Sequence, residues 1–262
     1  MTIFQSIILG IVQGLTEFLP VSSSAHLNIF PWLFGWEEIP ESFDIALHFG
    51  TLLALCIYFF KDWINLITAG FKKVVKKEDS TEGKLFWYIV IATIPTGILS
   101  LILDKISEKF LTGMLPIAIA LIVMGIVLYI VDKKMAQEVD IKDITFKQGL
   151  LIGLSQALAA AFPGVSRSGI TMSVARAFKL KRESAAKYSF LLSAPIIFAA
   201  VAVKVMDFTF NLPFVIGVLT SFIVGLLVIK FLMKYLEKGS YKVFAIYRVL
   251  FGIVILVTLF IR

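Results

Sequence analysis

The chain has 262 residues, 59% of them hydrophobic and only 16% charged, with a formal net charge of +7. Soluble domains average about 45–50% apolar residues; here the excess sits in long runs separated by charged clusters, which describes membrane spans and excludes an ordinary soluble core. The positive balance does not imply nucleic acid, because basic loops beside anionic lipid account for it. The single cysteine, Cys56, excludes an intrachain disulfide and reads as a packed or lipid-facing thiol.

In chain order, residues 1–19 are apolar but lack a basic n-region and a small-residue cleavage site, so no cleavable signal peptide is expected. This stretch runs into Pro20 and a serine cluster, then resumes as a short second helix. Six later runs, 44–60, 85–103, 115–131, 188–205, 213–231 and 243–261, are long enough to cross a bilayer, the first being the shortest. A second apolar stretch, 146–162, ends like the first, in Pro163 and a serine cluster. His48 lies in the first span without polar neighbours in sequence and reads as structural. Asp44 reads as interfacial, Arg176 and Arg248 as structural or interfacial, and the many phenylalanines as lipid contact and packing.

The basic residues sort the segments between spans. Lys61, Lys72, Lys73, Lys76, Lys77 and Lys84 share one; Lys133, Lys134, Lys142 and Lys147 the next; Lys179, Lys181, Arg182 and Lys187 a third; Lys230, Lys234, Lys238 and Lys242 a fourth. Residues 1–44 and 206–212 carry none, and 104–114 only Lys105 and Lys109. The positive-inside rule makes the rich segments cytoplasmic, with the Lys72–Lys77 patch as a solvated loop touching anionic lipid. Both termini then face outward, provided that the stretches around Pro20 and Pro163 enter the membrane and return on the same side. Two re-entrant helical hairpins are therefore expected.

The hairpins resemble each other. Gln5, Gly10, Gln13, Leu15 and Pro20 match Gln148, Gly153, Gln156, Leu158 and Pro163 at an offset of 143; Ser22 and Ser24 match Ser166 and Ser168 after one inserted residue. Each copy holds one hairpin and three spans, and an odd number of crossings inverts the second copy. The expected fold is an all-α polytopic membrane protein: a single integral membrane domain over 1–262, six transmembrane helices plus two re-entrant hairpins in two inverted-topology repeats. Repeat 1 covers 1–131 with its hairpin at 1–43; repeat 2 covers 132–262 with its hairpin at 146–178.

Irregular backbone at membrane depth is tolerated only where it is buried in protein or lines a wet cavity. Glu17 and Arg167, one at each hairpin tip, are ionisable groups that must be paired or functional there, and simple pairing with each other is one reading. The surrounding hydroxyls favour more. Ser22, Ser23 and Ser24, and Ser166, Ser168 and Thr171, cluster where helices restart, and helix N-termini with hydroxyls and an arginine suit a phosphate. Gln13, four residues before Glu17 on the same face, adds a hard oxygen, and the two together suit Mg²⁺ or Ca²⁺. His26 reads either as a helix residue bonded to backbone or as a nucleophile or acid–base group.

The two tips resemble the undecaprenyl-diphosphate phosphatase family, also called bacitracin resistance proteins. Its first motif stands here as Gln13 to Glu17 followed by Phe18-Leu19-Pro20-Val21-Ser22-Ser23-Ser24-Ala25-His26, and its second as Pro163-Gly164-Val165-Ser166-Arg167-Ser168-Gly169-Ile170-Thr171. The resemblance spans nearly the whole chain. It implies hydrolysis of undecaprenyl diphosphate to undecaprenyl phosphate and inorganic phosphate in the bacterial cell membrane, recycling the lipid carrier of cell-wall synthesis. It also implies a divalent cation and an active site open to the outer side. Catalysis would fall to Glu17, Ser23, His26 and Arg167, substrate binding to Ser22, Ser24, Ser166, Ser168 and Thr171, and metal binding to Glu17 and Gln13. Many members have Glu where this chain has Gln13, so one negative ligand is lost. Ser23, His26 and a metal-bound water all remain possible attackers. The partners expected are the polyprenyl diphosphate and membrane lipids, with a homo-oligomer possible and no nucleic acid. The competing function is a flippase or transporter of a polyprenyl phosphate or phospholipid, which would bind the same phosphate without cleaving it.

Overall fold

The computed structural model describes residues 1–111 and 113–261. Lys109, one of the two basic residues of the 104–114 segment, has a side chain outside this description, as do Asp104, Glu108 and Phe110. Among the described residues the chain is all-helical, with an isolated Val139–Leu180 bridge in place of any strand.

Among the described residues six helices have the length and composition of membrane spans: α3 (Glu41–Tyr58), α5 (Thr81–Phe110), α6 (Met114–Lys134), α10 (Arg182–Lys204), α11 (Leu212–Leu236) and α12 (Lys242–Ile261). They coincide with the six expected runs. Their outer faces are apolar: Val215, Leu219, Ile223, Leu227 and Phe231 recur along one side of α11 and are all exposed. Water would penalise that face, whereas lipid tails accept it. Where helices meet, small residues let backbones approach. A Cβ on Gly10 or Gly14 would stand 2.8 Å from Thr220 or 2.7 Å from Val224 of α11, so only glycine seats α1 there.

The shorter helices build the site. α1 (Ile3–Thr16) is followed by α2 (Ser23–Phe34), and α7 (Phe146–Ser155) and α8 (Ala157–Ala161) by α9 (Arg167–Ala177). α1 and α7 start with the same device, a capping box. The Thr2 hydroxyl accepts from the Gln5 amide while Gln5 accepts from the Thr2 amide at 2.8 Å, and Thr145 and Gln148 repeat this at 2.9 Å. The second arm is broken where the first runs on, because the chain turns at Gln156 between α7 and α8.

Helix pairing follows a pattern. α6 packs on α12 and α3 on α10; α1 packs on α11 as α7 does on α5. Exchanging the first half of the chain for the second leaves these four pairings unchanged, whereas the close packing of α11 on α3 has only a weaker counterpart between α5 and α10.

The Lys72–Lys77 patch, read as a solvated loop, begins inside the last turn of a helix and leaves it at Lys76. Residues Phe60–Val75 form α4, packed on α5 through Leu66 and Gly70, with the Trp87 indole donating to the Gly70 carbonyl at 3.1 Å. Phe60, Ile64, Ile67, Phe71 and Val74 are exposed along its other side. Spacing of four, three, four and three residues makes that stripe one helical face. The lysines at 72 and 73 sit in its last turn, where they favour the helix C-terminus.

A buried polar knot ties the ends of α6, α9, α10 and α12. Asp132 accepts from Arg182 at 2.7 Å, from Arg176 at 3.2 Å and from the Tyr241 amide at 3.0 Å. Arg176 is therefore structural.

Candidate active site

The site forms where two helix interruptions meet. Ser22 caps α2 by accepting from the Ala25 amide at 3.3 Å, and Ser166 caps α9 by accepting from Gly169 at 3.1 Å. Both have a left-handed backbone, with φ of 77° and 71°. Such conformations cost a non-glycine residue about 1–3 kcal/mol and persist only where surroundings impose them. They aim the N-termini of α2 and α9 at a shared space, with Ser23 and Arg167 as the first residue of each helix.

Glu17 is the centre of contacts. Arg167 donates from Nη2 to its Oε1. Its Oε2 accepts from Ser23 Oγ at 2.7 Å and from Gln13 Nε2 at 3.2 Å, and His48 Nε2 stands 3.4 Å from the same oxygen. The ion pair allowed by the sequence does form, and it forms beside a cavity. Ser168 Oγ reaches the backbone carbonyls of Glu17 and Leu19 at 3.2 and 3.1 Å, stitching the second interruption to the first.

Arg248 of α12 completes the stitch from behind. Fully buried, it donates to the carbonyls of Pro20 at 3.1 Å and of Gly164 and Val165 at 2.9 Å each. One guanidinium thus satisfies carbonyls of both interruptions. Gly169 leaves room for it, since a Cβ there would lie 2.6 Å from Arg248 Nη1.

A cavity of about 230 Å³ opens at this junction, lined by Glu17, Ser23, Ser24, Ser166, Arg167 and Ser168 together with His48 and Gln156. A wider cavity of about 650 Å³ shares Ser24 with it and carries Asn28, Trp32, Trp36, Glu38 and Asp44. A guanidinium, two helix N-termini and several hydroxyls at one small space have the chemistry that a tetrahedral oxyanion requires.

The other sequence candidates lie elsewhere. His26 does not line the small cavity. Its Nδ1 meets the Ser22 carbonyl at 2.7 Å, which can only accept, so Nδ1 carries hydrogen; Nε2 then accepts from the Tyr247 hydroxyl at 2.6 Å. The ring is 4.5 Å from that of Phe251 and stacked on it. Both nitrogens are engaged, Nδ1 within the first turn of α2 and Nε2 in holding α2 to α12. Thr171 is fully buried, with its hydroxyl bonded to the Arg167 carbonyl at 2.9 Å and to Ser189 at 2.6 Å. Ser22 and Gln13 are buried beneath the cavity wall.

Two residues read as structural or interfacial belong to the site. His48 has the polar neighbours that its sequence context denied it, because α3 passes beside the first interruption; Asp44, one turn earlier, places Oδ1 3.6 Å from His48 Nδ1. An ionisable residue inside a span was the available signal. Gln156 was available too, as the repeat counterpart of Gln13.

Six apolar helices around a cluster of paired charges and hydroxyls define a multi-pass helical membrane protein. The chain belongs to the bacitracin resistance protein BacA family, whose description matches residues 6–254. It is similar to the undecaprenyl-diphosphatase of Desulforudis audaxviator, at 48% identity over 99% of this chain and 98% of that one. It is also similar to those of Pelotomaculum thermopropionicum, at 46% over 98% and 97%, and Moorella thermoacetica, at 43% over the full length of both.

Proposed function

We propose that this chain hydrolyses undecaprenyl diphosphate to undecaprenyl phosphate and inorganic phosphate, recycling the lipid carrier of cell-wall synthesis and so conferring bacitracin resistance. The observation that carries the reading is the Ser23–Glu17–Arg167 cluster at the cavity, in a chain whose full-length relatives bear the name of that activity.

In this proposal Arg167 leaves Glu17 for the terminal phosphate and neutralises charge there, with Ser166, Ser24 and the α2 and α9 N-termini donating to its oxygens, while Ser168 lines the subsite with its hydrogen kept on the Glu17 and Leu19 carbonyls. Ser23 attacks the terminal phosphorus and gives its proton to Glu17, whose Oε2 already accepts it at 2.7 Å. His26, with both nitrogens engaged, acts by fixing α2. Ser22 and Thr171 shape the backbone that presents Ser23 and Arg167.

A divalent cation, Mg²⁺ or Ca²⁺, belongs to the proposal as an ion carried in on the diphosphate. Among the described residues no group of three or more His, Cys, Asp or Glu is spaced to hold one, and both Glu17 oxygens already accept from protein donors. The carbonyl oxygens of Gln13 and Gln156 are buried without a hydrogen-bond partner, and such neutral hard oxygens would complete the shell of an ion held mainly by phosphates and water. When bound, the ion would spread the charge of the diphosphate.

The architecture proposed around this site is two inverted repeats, 1–131 and 132–262, within one integral membrane domain, each with a re-entrant hairpin whose tip meets the other inside the bilayer. The twin capping boxes, the matched left-handed serines and the exchange-invariant helix pairing support it. Both termini and the cavity mouth would face the outside of the bacterial cell membrane.

The test is phosphate release from undecaprenyl diphosphate by purified protein in detergent, with Mg²⁺, with Ca²⁺ and with chelator, beside folded Glu17→Ala and Arg167→Ala. Metal-dependent release by the native protein alone is expected. Lipid binding without release would refute the phosphatase and favour a flippase.

A further inference from the structure

We infer that the seam between α6 and α12 is a binding site for an anionic phospholipid, separate from the candidate active site. A cavity of about 350 Å³ lies along it, walled by Ile126 and Tyr129 of α6 and by Ala245, Ile246, Val249 and Leu250 of α12. Gly125 lines it too. A Cβ there would stand 2.9 Å from the Ala245 carbonyl oxygen, so the two helices meet closely beside the cavity. Ile126, Ile246 and Leu250 are exposed, which puts the cavity on the face that lipid would cover. Walls this apolar suit a hydrocarbon chain, and their length sets how much of one. Leu250 lies eight positions after Lys242, about 12 Å of helix at 1.5 Å per residue. That is close to half of the ~30 Å hydrocarbon core, so the cavity is about one leaflet deep.

Charge at one end selects the headgroup. Lys242, the first residue of α12, lines the cavity, and Lys133, in the last turn of α6, holds its ammonium 5.6 Å from the centre of the Tyr129 ring. Among the described residues neither lysine has an acidic partner: Asp132, beside Lys133 in sequence, is buried and taken by Arg176 and Arg182. Two uncompensated ammonium groups at the end of an apolar cavity match a phosphate diester at the end of an acyl chain. Basic pockets between transmembrane helices at the cytoplasmic face take such headgroups, and the positive-inside rule puts this end at that face. A zwitterionic lipid brings the same chain with no net charge for the lysines. A second copy of this chain, seated on the same seam, would bring its own lysines against them.

The test measures binding of phosphatidylglycerol and of phosphatidylcholine to the purified protein in detergent, by native mass spectrometry. The native protein should hold one phosphatidylglycerol at least about tenfold more tightly than phosphatidylcholine. Lys133→Gln combined with Lys242→Gln should abolish that preference. Ile246→Trp, which fills the cavity from an exposed position, should weaken binding of both lipids at least about tenfold. Lys230→Gln combined with Lys234→Gln removes the same charge from α11 and should keep the preference. All four side chains changed from lysine and Ile246 are exposed, so the lipid-free Tm should stay native. Equal binding of the two lipids by the native protein, an equal loss in the α11 variant, or unchanged binding in Ile246→Trp overturns the inference. So does a native dimer that Ile246→Trp dissolves, since a second copy would then be the occupant.

Discussion

Replacing Arg248 by methionine tests whether one guanidinium holds the two interruptions together. Methionine is close in length and keeps the packing against α6, so the change isolates the polar contacts. Three carbonyls at 2.9–3.1 Å lose their donor. A hydrogen bond from a charged donor contributes about 1.5–3 kcal/mol, a gross loss of about 4–9 kcal/mol for three. Removing a buried charge returns several kcal/mol of desolvation. The expected net destabilisation is about 2–4 kcal/mol, a fall in Tm on the order of 10 °C by intrinsic fluorescence in detergent. Because the carbonyls belong to the chain that presents Glu17 and Arg167, phosphate release should fall more than stability suggests. A displacement of about 1 Å at a reacting group can cost about 10²-fold. Arg248→Lys, with a point charge in place of a planar fork, should fall between. A methionine variant with native Tm and native kcat would refute the clamp.

Two further outcomes follow from the contacts around Glu17 and His26. Gln13→Glu replaces the amide that donates to Glu17 at 3.2 Å with a second carboxylate; if Gln13 is an ion ligand, half-maximal release should be reached at a lower Mg²⁺ concentration than in the native protein, and an unchanged or raised Mg²⁺ requirement would refute that role. Tyr247→Phe removes the hydroxyl that donates to His26; stability should fall by about 1 kcal/mol with kcat within about threefold, and a tenfold or greater loss would return His26 to the reaction.

The spans are legible because lipid imposes both a length and an apolar composition, and six runs satisfy them. The interruptions are legible for the opposite reason: Pro20, Pro163 and the serines break otherwise apolar helical stretches and mark where the helices end and restart. Glu17, Ser23 and Arg167 come together as their positions imply. His48 is not legible in the same way. Its partner is 31 residues away in sequence, and only the passage of α3 beside the first interruption supplies it. His26, by contrast, carries a motif position but faces Tyr247 and Phe251 across the molecule, a neighbourhood that local sequence cannot reveal. α4 is missed because its lysines dominate the reading of a segment whose apolar residues recur at helical spacing.

Aligned at the serine caps, Ser23 and Arg167 occupy the same place in the two halves, the first residue of α2 and of α9; before the inserted residue, Glu17 corresponds to Ala160, which lines the same cavity. Each half therefore owns a different part of the chemistry: one the acid and the hydroxyl, the other the guanidinium. Two copies of the first half would set carboxylate against carboxylate, and two of the second guanidinium against guanidinium. The present pairing is the combination that attracts. Descent from a symmetric ancestor would have required the halves to specialise in step, and the chain cut in its 135–145 linker should regain activity only when both unlike pieces are supplied together.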